Sequence, residues 1–477
     1  MSINRRRLSF AIATGLLVEV IYKITPLLIL YHAQKCLGLV AFGWAQYGIA
    51  LFETMQPFVG YGYSNFAMSE VSRTCGDHGN SRRLFSHIVS IRAVHAVLII
   101  SGTIIWSAFQ PDGTPFSESA ALLVFVMLAT AMDSYWFVMA SHKLAAFNLF
   151  GGITRLLTLA AAFVLIRDPQ DKRIFMALML LPTTLTSIVT GIYAFRHLRF
   201  SRPITADIRK IFFNSIPFTL ISVLIIAYDR YDIFLAEHWF GLAGAGAYSG
   251  PAKLVQSLNL LTGSVVLAFY AEIVTVQDRQ SLYRHTALSL FCLMAIVTPM
   301  VFGAPFLEKQ LISIIFVNHS PSADGVFSLL IIGIMGNALI ATFGIQLLQV
   351  KGFHWRFIWA LLAGFVIGPF IALILKENLG LKSVVIGSLS SKALASVLVI
   401  LGARGLIGQI PWASLTRTIM AGIVMASCLH FLHIEGIIPS LLVGSPVYMI
   451  SLILLNRSEV GEIMRHPRIA RFFGKQY

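Results

Sequence analysis

Apolar stretches of about 20 residues follow one another along almost the whole of this 477-residue chain. Hydrophobic residues make up 57% of it and charged residues only 12%, whereas a soluble globular protein is roughly one-quarter charged. A stretch of this length can cross a membrane as a helix, because a helix satisfies its own backbone hydrogen bonds. The sequence therefore predicts an all-α polytopic membrane protein.

Polar and Gly/Pro clusters divide the chain into about 14 predicted spans. Their approximate ranges are 9–31, 41–66, 85–109, 119–140, 146–167, 173–196, 213–238, 244–271, 286–304, 324–349, 356–376, 380–401, 413–432 and 437–456. Arg5 to Arg7 precede the first apolar run as they would in a secretory signal, but Glu19 and Lys23 interrupt that run, which continues to Leu30. This pattern favours an uncleaved first span.

The formal net charge of +15 would suggest a nucleic-acid partner in a soluble protein. Here the basic residues alternate between connections: with a cytoplasmic amino terminus, about 23 Lys and Arg fall on the cytoplasmic side and about seven on the other. This bias predicts that both termini are cytoplasmic, and it explains the charge without nucleic acid.

Several classes of function lack their usual signals. No connection is long enough to fold as a separate domain, and no interfacial cluster of His, Asp and Glu suggests an active site. Cys36, Cys75, Cys292 and Cys428 show neither CxxC nor metal-ligand spacing with histidine. We therefore expect no enzyme activity, no bound metal and no cofactor.

Two segments of the sequence repeat each other. LGLVAFGWAQYGIALFE at 37–53 aligns without gaps to FGLAGAGAYSGPAKLVQ at 240–256, which places Gly38 over Gly241 and Gly43 over Gly246. The offset corresponds to six spans, so the copies have the same orientation. This predicts two pseudo-symmetric six-helix lobes, residues 1–200 with spans 1–6 and residues 201–405 with spans 7–12, followed by spans 13–14 and a basic cytoplasmic tail at 406–477. Parallel repeats of this kind occur in transporters, whose substrate sites lie near the midplane.

Three longer stretches resemble a known family. LGLVAFGWAQYGIALFETMQPFVGYGYSNFAMSEVSR (37–73) resembles the second-span signature of bacterial polysaccharide flippases. DSYWFVMASHKLAAFNLFGGITRLLTL (133–159) resembles their span 4 to span 5 stretch, and YDRYDIFLAEHWFGLAGAGAYSGPAKLVQ (228–256) resembles their span 7 to span 8 signature. The chain thus resembles the Wzx-type flippases of O-antigen and exopolysaccharide repeat units, the polysaccharide transporter branch of the MOP exporter superfamily.

The resemblance implies two bundles that open alternately to the cytoplasm and the periplasm of the bacterial inner membrane. It implies a substrate in which an oligosaccharide is linked to undecaprenyl pyrophosphate, and polysaccharide polymerase and chain-length regulator proteins as partners. Two alternatives stay open: a MATE-like secondary exporter of small molecules on the same fold, and a polysaccharide polymerase or ligase, which the missing periplasmic loop disfavours.

Eleven Lys, Arg, Asp and Glu residues lie in the predicted spans away from the span ends, at depths where a charge is costly unless it faces a bundle interior or a wet cavity. The cations are Lys23, Arg92, Arg155, Arg230, Lys253 and Lys392, and the acids are Glu19, Glu53, Asp133, Asp229 and Asp232. Each also has a structural interpretation. Glu19 and Lys23 have the spacing of an intrahelical pair, Arg92 and Lys392 could extend to an interface, and Asp133 could pair with Arg155.

A lipid pyrophosphate needs cations that replace its water, so the six cations are the predicted substrate-binding residues. Arg155 is the best single candidate, because it lies too deep in its span to reach an interface easily and has no acid three or four residues away. The acids would release the substrate, or bind a coupling H⁺ or Na⁺. Tyr228, Tyr231 and Trp136 are the predicted sugar contacts. Six cations against five acids lean slightly towards an anionic substrate.

The stretch AYDRYDIFL at 227–235 concentrates these charges near mid-membrane. At 100° per residue Asp229 and Asp232 share a face, while Arg230 points about 130° away. Two arrangements remain open: either Arg230 binds phosphate while the aspartates tie span 7 to span 8, with Lys253 as a partner, or the aspartates face the cavity and Arg230 is the structural group.

Overall fold

The computed structural model describes residues 5–60, 62–63, 67, 78–111, 113–141, 143–198, 200–201, 205–315, 323–434 and 436–465. These residues are helical almost throughout, and none of them is in a strand. The helices are α1 (Arg5–Gly60), α2 (His78–Ala108), α3 (Pro115–Met132), α4 (Tyr135–Ala140), α5 (Leu144–Leu165), α6 (Lys172–Leu198), α7 (Thr205–Thr275), α8 (Arg279–Ile315), α9 (Val326–Leu339), α10 (His354–Leu379), α11 (Leu381–Ile407), α12 (Trp412–Phe431), α13 (Ile437–Leu455) and α14 (Arg457–Arg465).

The predicted class of fold is confirmed. Twelve helices of the described part are long and apolar enough to cross a membrane, one of them formed by α9 together with the π-helical segment Ile340–Gln349 that continues it. Two of these are much longer than one crossing needs: α1 has 56 residues and α7 has 71. Each is bent at an internal glycine, so α1 carries predicted spans 1 and 2 and α7 carries spans 7 and 8. Because each of these two helices carries two spans, the twelve helices account for about 14 spans, the number predicted from the sequence.

The two bends lie at the residues that the sequence repeat aligns. Gly38 has φ 70° and ψ 174°, and Gly241 has φ 68° and ψ −173°. A positive φ of this size is readily adopted only by glycine. The two aligned glycines thus interrupt their helices with nearly the same backbone conformation, which supports the internal repeat.

Beyond the bends, the starts of spans 2 and 8 cross at a contact between backbones. A Cβ atom built on Gly43 would lie 1.9 Å from the carbonyl oxygen of Leu242, and one built on Gly246 would lie 2.1 Å from that of Leu39. The contact is reciprocal, because each repeat provides the glycine that meets the other's leucine carbonyl. Glycine is needed at both positions because no side chain fits between the helices.

The chain forms two compact units, Met1–Ser249 and Gly250–Tyr477. In the first, α1 packs against α3, α5 and α6, around a core that includes Trp44, Leu123 and Phe175. In the second, α10 pairs with α11, α9 packs on α8 and α11, and α12 and α13 pack on α8. The predicted lobe boundaries at residues 200 and 405 stay predictions.

Polar groups close the helix ends outside the membrane segments of the second unit. The carboxylate of Asp278 accepts a hydrogen bond from the backbone N–H of Ser281 at 2.7 Å, which caps α8 and lowers the pKa of Asp278. The ammonium group of Lys351 donates to the carbonyls of Ile273, at 3.0 Å, and Val276 at the end of α7, and its burial lowers its pKa. These groups satisfy helix ends that would otherwise lack partners.

Candidate functional site

Arg230 is held by an acid of another span. Its guanidinium forms an ion pair with the carboxylate of Glu53 in the second half of α1, and its Nη1 donates a hydrogen bond to the carbonyl of Asp229 at 2.8 Å. The Arg230 side chain is buried and that of Glu53 is mostly buried. A buried charge needs such a partner, so this pair ties span 7 to span 2 within the first unit.

Asp232 is held by a tyrosine that the sequence did not point to. The hydroxyl of Tyr248 donates to the Asp232 carboxylate at 2.5 Å, and both side chains are buried. Tyr248 follows the Gly241 bend, so this bond joins spans 7 and 8. Asp232 and Arg230 therefore both contact neighbouring spans, and the two arrangements considered for AYDRYDIFL are not simple alternatives. Asp229, in the same stretch, is partly exposed.

Arg92 and Asp133 form a second buried group, where the chain breaks between α3 and α4. Arg92 is only 2% exposed, so it does not extend to an interface, and its guanidinium donates to the carbonyl oxygen of Asp133. The Asp133 carboxylate accepts hydrogen bonds from the hydroxyl of Thr190 and the backbone N–H of Tyr135, both at 3.3 Å. The described residues show no ion pair between Asp133 and Arg155, so that predicted pairing was wrong: Asp133 is directed to α2 and α6 instead.

Arg155 lies in a different environment, against an aromatic ring. Its guanidinium carbon is 3.6 Å from the centre of the Tyr22 ring, and its Nη1 is 3.5 Å from the carbonyl oxygen of Gly151. Its side chain is partly exposed. Among the described residues no carboxylate forms an ion pair with it. Among the described side chains, Arg155 is thus a mid-span cation that stacks on a π face and has no acidic partner.

Hydroxyl and amide groups surround this cation. The Tyr135 hydroxyl donates to the side-chain oxygen of Asn148 at 3.0 Å, and the Tyr22 hydroxyl is 3.5 Å from the Asn148 carbonyl. Gly151 makes room for Tyr22, because a Cβ there would lie 1.8 Å from the tyrosine oxygen. We call Tyr22, Tyr135, Asn148 and Arg155 the Arg155 cluster. Asn148 was not among the site residues predicted from the sequence, although its spacing of seven residues from Arg155 places the two on one helix face.

Lys392 is the corresponding mid-span cation of the second unit. It is partly exposed and lies along Gly333 and Gly336 of α9; a Cβ on Gly333 would be 3.4 Å from its ammonium nitrogen. In the described part of the chain it forms no ion pair with a carboxylate. Lys253 is buried and lies near the start of the second unit, in the last part of α7. Its role in substrate binding stays a prediction.

The remaining predicted residues are either buried aromatic side chains or side chains that the structure does not describe. Trp136 is 1% exposed and packs in a core cluster with Tyr63, Phe85 and Phe137, which leaves little of it for a sugar. Tyr228 and Tyr231 are also buried, at 4% and 7% exposure. Glu19 and Lys23 lie outside the side chains that the structure describes. The described residues contain no group of three or more His, Cys, Asp or Glu side chains that could hold a metal ion.

Comparison with known proteins agrees with this architecture. A solved structure described as "Lipid II flippase MurJ, inward closed conformation" matches 93% of this chain and 100% of its own, with a TM-score of 0.63 and 13% sequence identity. An inward-facing multidrug resistance MATE family transporter of the MOP superfamily matches 80% of this chain and 94% of its own, with a TM-score of 0.58 and 14% identity. The eukaryotic MATE transporter AtDTX14 matches 81% and 97%, with a TM-score of 0.56 and 13% identity. At these identities the likeness shows the fold.

A search of curated proteins by sequence gives no significant match. The family model described as "Polysaccharide biosynthesis protein" matches residues 12–271, which is more than half of the chain and includes both bent helices almost completely. The chain is therefore a multi-pass membrane protein that belongs to the polysaccharide biosynthesis protein family and has the fold of the MOP superfamily.

Proposed function

We propose that this protein is a flippase that moves oligosaccharide repeat units linked to undecaprenyl pyrophosphate from the cytoplasmic to the periplasmic leaflet of the bacterial inner membrane. The family supports a role in polysaccharide biosynthesis, and a lipid II flippase has a similar fold. The pyrophosphate is the difficult part of such a substrate, because its charge must pass through a medium of low dielectric constant.

The position and the surroundings of Arg155 are the main observation in support of the proposal. It is the twelfth residue of the 22-residue helix α5, too far from either end for its charge to reach the interface. Its partly exposed guanidinium has a tyrosine face on one side and no carboxylate partner among the described residues. An arginine in this state binds a phosphate through two parallel, charge-assisted hydrogen bonds. The hydroxyls and amide of the Arg155 cluster are suited to the adjoining sugar.

The two buried arginines described in the first unit have partners within the protein. Arg230 forms an ion pair with Glu53, and Arg92 donates a hydrogen bond to the carbonyl oxygen of Asp133. Such pairs hold helices together at a cost in solvation, and they do not need a ligand. We therefore rank Arg155 above Arg230 and Arg92 as the pyrophosphate-binding residue.

The crossing of the two repeats suggests how access alternates. Spans 2 and 8 meet through backbone atoms at Gly43 and Gly246, close to the bends at Gly38 and Gly241. A contact without interlocking side chains can separate without unpacking a core. We propose that the two repeats part at this crossing when the site opens to the side on which spans 2 and 8 begin.

The genetic test uses a host that lacks its own flippase and accumulates the lipid-linked repeat unit. The wild-type gene should restore surface polysaccharide, Arg155→Lys should restore part of it, and Arg155→Gln should restore none at equal membrane abundance. The matched control is Arg167→Gln, which removes an exposed arginine just beyond the same helix and should have no effect. Full restoration by Arg155→Gln would reject the proposed site, and failure of the wild type with its cognate glycan would reject the function.

One observation favours a second candidate, a MATE-like exporter of small cations. Asp229 is partly exposed in a mid-span position, and a carboxylate there would attract a cationic compound. This alternative predicts that deletion alters drug sensitivity and leaves surface polysaccharide unchanged. It also predicts that Asp229→Asn, and not Arg155→Gln, abolishes transport.

A further inference from the structure

The lysine at the centre of α11 has an unusual position for a charged residue. Lys392 is the twelfth of 27 residues in Leu381–Ile407, so about 17 Å of helix precede it and about 22 Å follow it. A lysine side chain cannot cover either distance, so its ammonium group stays at membrane depth. A charge at this depth is costly unless it faces a bundle interior or a wet cavity, and the Lys392 side chain is partly exposed.

The surroundings of Lys392 supply donors and space. Its side chain lies on Gly333 of α9, where a Cβ would come within 3.3 Å of its Cδ and 3.4 Å of its ammonium nitrogen. Ser388 lies one turn earlier on the same face, is 1% exposed, and has a hydroxyl without a hydrogen-bond partner in the described structure. A buried hydroxyl of this kind costs free energy unless something binds it.

The missing component is negative charge. No carboxylate of the described residues pairs with Lys392, whereas Arg230 in the first unit has Glu53. The hydroxyl of Ser396, one turn later, is already engaged, because its hydrogen is shared between the carbonyls of Lys392, at 2.6 Å, and Gly336, at 3.2 Å. An ammonium group and a free hydroxyl on one face are together suited to an oxygen anion.

We propose that Lys392 and Ser388 form a second oxyanion site, contained in the second unit and separate from the Arg155 cluster. The ligand is an oxyanion of the transported substrate, either a carboxylate on an acidic sugar or a phosphate oxygen of the lipid carrier. A single ammonium group balances a single charge, so the site fits one carboxylate or one phosphate oxygen. This inference rests on the proposed flippase function.

The transport experiment compares two hosts that lack their own flippase, one producing a repeat unit with a uronic acid and one producing a neutral repeat unit. Lys392→Gln should lower export at least about tenfold, the loss of one charge-assisted hydrogen bond. A loss restricted to the acidic unit identifies the sugar carboxylate, and a loss with both units identifies the pyrophosphate. Lys382→Gln, at the start of the same helix, is the matched control and should export normally.

Unchanged export of both units by Lys392→Gln at wild-type abundance would overturn the proposal. If that variant does not accumulate, Ser388→Ala keeps the lysine charge but removes the hydroxyl, and it should reduce the same export; wild-type export by Ser388→Ala would then overturn the proposal.

A binding experiment separates this inference from the proposed function. Purified wild-type protein in lipid nanodiscs is titrated with D-glucuronate and with inorganic pyrophosphate, and Lys392→Arg and Ser388→Ala are measured beside it. We expect binding of at least one anion, retained by Lys392→Arg and weakened several-fold by Ser388→Ala. Absence of binding of both anions, or equal affinities in wild type and Ser388→Ala, would overturn the oxyanion site whatever the wild type does in the export assay.

Discussion

The reciprocal glycine contact makes the sharpest prediction about the fold. In Gly43→Ala the new Cβ would lie 1.9 Å from the Leu242 oxygen, whereas ordinary contact begins at about 3.4 Å, so the helices must separate by about 1.5 Å. Backbone cannot turn aside as a side chain can. Overpacking of this kind costs about 1–3 kcal/mol. Alanine's better helix propensity returns up to about 1 kcal/mol, so the net effect is a loss.

A graded set of variants tests this reasoning by thermal unfolding in detergent. Gly43→Ala and Gly246→Ala should each lower the unfolding midpoint. Gly48→Ala should lower it less, because its Cβ meets only the flexible end of Met176, and Gly102→Ala should not lower it, because the space beside it is open. The double variant at 43 and 246 should lose less than the sum of the single variants, since one separation relieves both contacts. Equal midpoints for Gly43→Ala and Gly102→Ala would refute the close crossing.

Three further predictions concern the buried polar contacts of the first unit. Removing one partner of the Arg230–Glu53 pair, as in Glu53→Gln, should destabilise the protein by about 3–5 kcal/mol. In a double-mutant cycle, removing both side chains should cost less than the sum of the two single losses, and additive losses would contradict the pair. Tyr248→Phe should cost about 1.5–3 kcal/mol in thermal or denaturant unfolding, the contribution of a hydrogen bond to a charged group, and an unchanged stability would mean that Asp232 is satisfied without it. Tyr22→Leu, which removes the ring under Arg155, should weaken transport about tenfold with little change in abundance, and normal transport would argue against the stacked position.

Much of the fold could be predicted because a membrane imposes simple rules. Helix length and the run of apolar residues predict the spans, and the repeat at 37–53 and 240–256 predicts equivalent helix starts. What the sequence does not show is that Gly38 and Gly241 join adjacent spans into single bent helices. That outcome depends on a positive φ at one residue, and the glycine alone permits it without requiring it.

Charge pairing was harder to predict, because partners on different helices carry no common spacing. Helical periodicity correctly separated Arg230 from the two aspartates, but it could not indicate Glu53, which lies 177 residues earlier. The interpretation of Arg92 as a group at an interface was wrong, because the break between α3 and α4 brings the Asp133 carbonyl to it inside the protein. Arg155 is a candidate by sequence and by structure, since its depth can be read from the sequence and its lack of an acidic partner among the described residues from the structure.

Transport across a synthetic bilayer tests the central claim most directly. The purified protein is reconstituted into vesicles that contain a labelled polyprenyl-pyrophosphate oligosaccharide, and an impermeant enzyme added outside measures how much of the labelled glycan reaches the outer leaflet. A lipid that is distributed over both leaflets and does not move leaves about half of the labelled glycan accessible. The flippase account predicts that wild-type protein raises the accessible fraction well beyond this half, and that the Arg155→Gln variant does not raise it. A wild-type protein that leaves the accessible fraction at that of protein-free vesicles, or an Arg155→Gln variant as active as wild type, would contradict the account.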